Sequence, residues 1–217
     1  MFKLIIFDLD GTLLDTLEDL ANSVNYALEL YNFPIHSTDD YRLFIGNGVN
    51  KLLERALPEQ QRNTDYVSML KFEFLKHYSC NSDLFTKPYA GIVNLLYKLQ
   101  EGDFKLAVAS NKMHQATLDL TEKFFPEINF VNIFGQRSGI PVKPNPTILN
   151  DIILTAGVDK ADVLYVGDSG VDVSTAYNAK VNFVGVLWGF RPRMELEENG
   201  ATTFVNDTEE LYNLIIS

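Results

Sequence analysis

Leu4-Ile5-Ile6-Phe7-Asp8-Leu9-Asp10-Gly11-Thr12 is the stretch whose reading decides the fold. An apolar run closed by a turn residue reads as a buried parallel strand. Asp8 and Asp10 sit two residues apart, so both carboxylates can face one side of the strand end while Leu9 turns to the core. Gly11 and Thr12 then break the strand. Two carboxylates so placed repel each other, and a cation belongs between them.

The same pattern recurs downstream. An apolar run at 105–109 enters Ser110-Asn111-Lys112, and one at 130–134 leads through a loop to Lys143-Pro144. Another at 163–166 enters Gly167-Asp168-Ser169, and a fifth at 183–186 enters Trp188-Gly189-Phe190-Arg191. A short last strand is expected around 203–205. Helical periodicity fills the gaps at 91–100, 115–125 and 146–156. Strands alternating with helices predict an α/β fold, a doubly wound Rossmann-like parallel sheet. Ligands bind such sheets beyond the carboxyl ends of the strands, where the polar clusters fall.

The interval 16–85 lacks strand runs and reads as amphipathic helices at 17–31, 48–57 and 64–78. It predicts an inserted α-helical cap over a core made of 1–15 and 86–217. A cap of this kind excludes water and selects substrate.

Bulk properties narrow the function classes. A net charge of -11 argues against nucleic acid or an anionic membrane as partner. The single cysteine, Cys80, permits no internal disulfide and fits a reducing compartment. The first apolar run is cut by Asp8 and does not read as a signal peptide. No apolar stretch approaches the roughly 20 residues of a membrane span. The expectation is a cytoplasmic protein, monomer or homodimer, and an anionic partner such as a small phosphorylated metabolite would need local groups that overcome the global charge.

Asp8, ionised at neutral pH, can attack phosphorus without a base and form an aspartyl-phosphate. Asp10 can protonate the leaving alkoxide and later take a proton from water. Asp8 and Asp168 supply hard oxygen ligands suited to Mg²⁺. Lys143 adds a point charge beside Asp8 and the phosphate, and Ser110 with the amides around Asn111 can bind equatorial oxygens. Each cluster alone is commonplace: a lone Asp-x-Asp is usually a turn, and Ser110-Asn111 alone suggests a helix N-cap. Their order, each at a strand's carboxyl end, is the specific signal.

That combination resembles the haloacid dehalogenase-like hydrolase superfamily, over essentially the whole chain. Matching motifs are Asp8-Leu9-Asp10-Gly11-Thr12, Ser110-Asn111, Lys143-Pro144 and Gly167-Asp168-Ser169-Gly170-Val171-Asp172. The resemblance implies Asp8 as nucleophile and Asp10 as acid/base. It implies Mg²⁺ held by Asp8, the Asp10 carbonyl and Asp168, with Asp172 orienting these ligands or reaching the metal through water. Thr12 would position the Asp10 loop near the phosphate. Within the superfamily the chain is similar to the phosphoglycolate phosphatase group. That likeness rests on Asp15-Thr16 before Asp19-Leu20-Ala21, on Ile45-Gly46-Asn47-Gly48, and on Trp188-Gly189-Phe190-Arg191. It implies that Gly46 and Gly48 face the substrate from the cap. Two departures are Gly135-Gln136-Arg137, which lacks an expected acidic residue, and Lys180, which replaces a usual glycine.

The expected activity is therefore a Mg²⁺-dependent phosphatase for a small, phosphoglycolate-like monoester. An inorganic pyrophosphatase of the same superfamily is the alternative, and a phospho-accepting signalling module is the alternative of another class. A dehalogenase needs no second acid, and a hexose phosphomutase would carry a cap histidine soon after Thr16. A phosphonate-cleaving relative would need a cap lysine such as Lys51. Gly46-Asn47-Gly48 resembles a dinucleotide fingerprint, but Lys51 stands where glycine or alanine is needed. His36, His77 and His114 show no metal-ligand spacing. Lys51 and Arg55 read as a solvated face, with contact to an anionic substrate as the alternative, and Arg191 and Arg193 read equally as surface or site.

Overall fold

A computed structural model describes residues 2–217. Its centre is β1 (Leu4–Phe7), whose four side chains are all fully buried. Ile5 and Phe7 pack into one apolar cluster and Leu4 and Ile6 into another, because successive strand residues point to opposite faces. Each such side chain contributes about 1.5–3 kcal/mol on burial. The first cluster takes in α5 (Ile92–Glu101) and α10 (Thr208–Ile216). The second takes in α7 (Thr147–Ala156) and α8 (Gly170–Ala179). Helices thus cover both faces, as a parallel sheet requires.

β1 pairs in parallel with β4 (Lys105–Met113) on one side and β6 (Val163–Gly167) on the other. β5 (Phe130–Gln136) extends the sheet beyond β4, and β7 (Asn182–Val186) and β8 (Phe204–Val205) extend it beyond β6. The order β5-β4-β1-β6-β7-β8 reverses direction at β1, so the topological switch point lies at the end of that strand. Phe7 is in register with both Val108 and Val166. That register places Asp8 level with the residues preceding Ser110 and Asp168.

The helical interval holds α1 (Leu17–Leu30), α2 (Tyr41–Phe44), α3 (Val49–Ala56) and α4 (Thr64–Asn81). These helices form their own apolar cluster, in which Tyr41, Leu53, Leu70 and Phe74 are buried; of the core, Phe190 joins it. Sequence periodicity missed the short antiparallel ribbon of β2 (Leu14–Asp15) with β3 (Lys87–Pro88), which ties together the two chain crossings. Asp19 reinforces it by accepting hydrogen bonds from the amides of Phe85 and Thr86 and the Thr86 hydroxyl, at 2.7–3.2 Å.

Three further differences from expectation have local causes. β4 runs on to Met113, but its pairing with β5 shifts register between Ala109 and Met113, so Ser110, Asn111 and Lys112 lie in an irregular strand tip, and α6 (His114–Phe124) starts only afterwards. The N-cap alternative for Ser110-Asn111 is thereby removed. α9 (Arg193–Glu198), at six residues, is too short to show a period, and α8 and α10 also lie outside the stretches read as helical. Lys180 occupies a left-handed position (φ 59°) at the end of α8, the conformation glycine adopts without strain. No helix among the described residues is long and apolar enough to cross a membrane.

Candidate active site

Asp8 stands at the end of β1 and its amide donates to the Val166 carbonyl. Its Oδ1 accepts from the Leu9 amide at 2.7 Å and lies 3.0 Å from Lys143 Nζ. Among the described residues no hydrogen bond engages Oδ2, the oxygen left for a ligand. Lys143 is almost fully buried, arriving from the loop after β5. Its ammonium is saturated: besides Asp8 it meets Asp172 Oδ1 (2.7 Å), the Tyr165 hydroxyl (2.8 Å) and the Ala109 carbonyl (3.1 Å). Burial opposes its charge, but Asp172 and Asp8 outweigh that and raise its pKa to about 12.

Asp168 follows β6 and is gripped by two other loops. Thr12 Oγ1 donates to its Oδ1 at 3.2 Å and the Phe190 amide to its Oδ2 at 2.8 Å. Gly11 makes this approach possible: it adopts φ +83°, and a Cβ there would sit 2.3 Å from Asp168 Oδ2. Asp172 is fully buried in the first turn of α8. Its Oδ1 also accepts from the Tyr165 hydroxyl (2.7 Å), and its Oδ2 accepts from the Ser169 hydroxyl at 2.6 Å and the Ser169 amide at 3.2 Å. It therefore braces Lys143 and the Asp168 turn.

One carboxylate oxygen from each of Asp8, Asp168 and Asp172 falls within 4.8 Å of the others. Burial is the main force raising the Asp8 pKa, to about 7 against the pull of Lys143, with Asp172 and then Asp10 adding repulsion. Asp168 is likewise raised, by burial first and then by Asp172 and Asp8. Anionic oxygen donors that destabilise one another in this way fit a hard divalent cation. Asp8 and Asp168 retain free lone pairs for it, whereas Asp172 is saturated by its own partners.

Asp10 points away from this cluster. Its Oδ1 accepts from Thr16 Oγ1 at 2.8 Å and from Lys112 Nζ at 3.0 Å, and Lys112 is 3.4 Å from Oδ2. Asp8, Asp10, Ser110, Asn111, Lys112 and Asp168 line one cavity with Gly46 and Gly48 of the helical interval. The cavity has a volume of about 50 Å³, and its remaining wall is largely apolar, including Leu20, Ile45, Leu52 and Phe74. That is room for a few waters or a small ligand.

Two residues expected at the phosphate have other places. Thr12 is fully buried beneath Asp168, because its hydroxyl is taken by that carboxylate. The Asn111 side chain is spent on backbone: its amide nitrogen donates to the carbonyls of Gly46 (3.0 Å) and Lys143 (3.1 Å), and its oxygen accepts from the Lys143 amide (2.8 Å). It ties the cap loop to the Lys143 loop, leaving Ser110 and backbone amides for a ligand.

Sequence reasoning missed what the segment after β7 does. The Trp188 indole donates to the Thr12 carbonyl at 3.0 Å. The Arg191 guanidinium donates to the carbonyls of Arg42, Leu43 and Ile45, with Nε 3.4 Å from Glu195. One short segment thus holds the Thr12 turn, Asp168 and the cap loop. Arg55, read as solvent-facing, also clamps that loop through the Phe44 carbonyl and the Asn47 side chain. Lys112 was the other omission, since a lysine after Ser-Asn carries no signal of its own.

The fold and this ordered set of side chains define a class. The pattern of the haloacid dehalogenase-like hydrolases matches residues 5–186, and the chain belongs to that family. Within it, the chain is a phosphatase-type hydrolase similar to phosphoglycolate phosphatases. It is 35% identical over 193 residues to a phosphoglycolate phosphatase of Mesorhizobium japonicum, covering 88% of this chain and 85% of that one. It is 31% identical over 220 residues to one of Mannheimia succiniciproducens, covering 99% and 98%. A crystal structure from Lactobacillus delbrueckii subsp. bulgaricus, assigned as a phosphoglycolate phosphatase, superimposes with a TM-score of 0.94 at 33% identity, covering 99% and 98%.

Proposed function

We propose that the protein hydrolyses a small phosphomonoester of the phosphoglycolate type, through a phosphate ester on Asp8, with Mg²⁺ as its metal. The observation that carries this is the division of labour between the two motif carboxylates. Asp8 sits against Lys143 and Asp168 with one oxygen free, while Asp10 lines the same cavity and is held by Thr16 and Lys112. The relatives' activity and the small cavity support the substrate class.

Mg²⁺ would be held by Asp8, Asp168 and the Asp10 carbonyl, and when bound it supplies charge neutralisation for the transferring phosphoryl group. The chain's own residues do the rest. Lys143 holds Asp8 in place and offsets its negative charge. Ser110 and the amides of the β4 tip bind the equatorial oxygens. Asp10 gives its proton to the leaving oxygen and then takes one from the water that attacks the aspartyl-phosphate. Residues 16–85 act as a cap hinged at the β2–β3 ribbon, supported by their separate apolar cluster. Closure excludes water other than the one that reacts.

Asp10→Asn is expected to slow hydrolysis of an alkyl phosphate about 10²- to 10⁴-fold. A nitrophenyl phosphate, whose leaving group needs no proton, should lose much less. Equal losses on both esters in parallel assays would count against Asp10 as the acid.

Asp8 also gives the metal-free protein a defined pH response. Unfolded, it ionises near 3.8; folded, it keeps its proton up to about 7. The folded state binds the extra proton in that window, so the Asp8 contribution to stability is full below 3.8 and is lost as pH rises from there through 7. Mg²⁺ at about 100 times its dissociation constant should add about 2.7 kcal/mol. Urea denaturation with chelator or Mg²⁺ across this range checks both; stability that ignores Mg²⁺ at neutral pH would contradict the metal assignment.

A further inference from the structure

We infer that Lys112 and the Tyr78 hydroxyl form the site that reads a second anionic group on the substrate, a carboxylate on the short carbon chain of the ester. This rests on the phosphatase reading and assigns the residues that recognise the non-reacting end.

The cations around the cavity differ in what they have to spare. Lys143 is saturated by two carboxylates, a hydroxyl and a carbonyl. Arg191 is committed to cap carbonyls and Glu195. Lys112 lines the cavity, is buried, and has Asp10 as its ion-pair partner among the described residues. An ammonium has three donors, and its Asp10 contacts leave capacity for another acceptor.

Tyr78 supplies the independent observation. It belongs to cap helix α4, is almost fully buried and lines the same cavity. Lys112 Nζ lies 4.7 Å from its ring centroid, and the ring stacks on Phe74 at 5.3 Å. Its hydroxyl lies beside the Lys112 ammonium, which can only donate, and no group among the described residues accepts the hydroxyl proton. A buried hydroxyl proton without an acceptor is destabilising, and a ligand acceptor would remove that cost. The other cap residues on the wall, such as Leu20, Val49, Leu52 and Phe74, offer no side-chain donor. In a chain of net charge -11, an anion needs such a local cation.

Spacing sets the size of the ligand. Ser110 and Lys112 are two residues apart on β4 and both line the cavity. Their segment is an irregular strand tip in which the Lys112 amide donates to Ser110 Oγ at 3.2 Å, so the two residues are close neighbours. That suits a phosphate at Ser110 and a carboxylate one or two carbons away at Lys112. Tyr78 comes from the cap, so the carboxylate would also bridge cap to core.

The test compares kcat/KM for phosphoglycolate and for 2-hydroxyethyl phosphate, which has the same carbon chain with a neutral end. Wild-type protein should prefer phosphoglycolate. Tyr78→Phe and Lys112→Gln should each cut that preference about 10- to 100-fold, the scale of a lost hydrogen bond to a charged group, mostly through KM. Variants that lower both esters in parallel, keeping the wild-type ratio, would overturn the inference and leave Lys112 acting through Asp10 alone. Wild-type turnover without preference would also overturn it. Wild-type protein inactive on every phosphoester would refute the phosphatase reading itself, and this inference with it.

Discussion

Asp8→Asn should lower kcat by about 10⁴-fold or more, the scale on which enzymes lose activity when a nucleophile is removed. The substitution is nearly isosteric. Its amide oxygen can still accept from the Leu9 amide and Lys143, the two partners Asp8 holds at 2.7 and 3.0 Å. The fold should therefore survive, and a thermal melt should show it. What disappears is the anionic oxygen proposed to attack phosphorus, because a carboxamide is a poor nucleophile and releases a phosphoryl group poorly. A folded variant with wild-type kcat would remove Asp8 from the chemistry.

Lys143→Met should cost about 3–5 kcal/mol of folding stability as well as activity. The side chain has similar reach but no charge, so Asp8 and Asp172 would face each other in the interior without their counter-ion. Tyr165 and the Ala109 carbonyl would lose a donor too. Lys143→Arg should rescue little, since the planar guanidinium cannot replace a point charge with donors in several directions. Urea denaturation of the metal-free proteins measures the loss. A midpoint within experimental error of wild type would mean that the buried cation is not what holds the acidic cluster together.

The legible part of this protein is the part where chemistry and periodicity coincide. Leu4–Phe7 had to be a central strand because nothing polar interrupts it. The clusters at Ser110, Lys143 and Asp168 could be aligned with Asp8 because a parallel sheet brings all its carboxyl ends to one edge. The helical character of the interval 16–85 followed from the spacing of its apolar residues. The illegible part depends on long-range backbone contacts that leave no local pattern. Thr12 under Asp168 and Asn111 between two loops are side chains answering distant carboxylates and carbonyls. The Arg191 grip on the carbonyls of residues 42, 43 and 45 is of the same kind, joining segments nearly 150 positions apart. The β2–β3 ribbon is two residues per strand, too short to show alternation. Lys112 was unreadable for another reason: its meaning comes from Asp10 and Tyr78, which meet it only in three dimensions.

The central claim is that phosphate passes through Asp8 rather than directly to water. The stereochemical course at phosphorus tests it most directly, using an isotopically chiral phosphate monoester turned over by the wild-type enzyme with Mg²⁺. Two successive in-line displacements, first by Asp8 and then by water, predict retention of configuration. Inversion would mean a single displacement by water and would contradict the account.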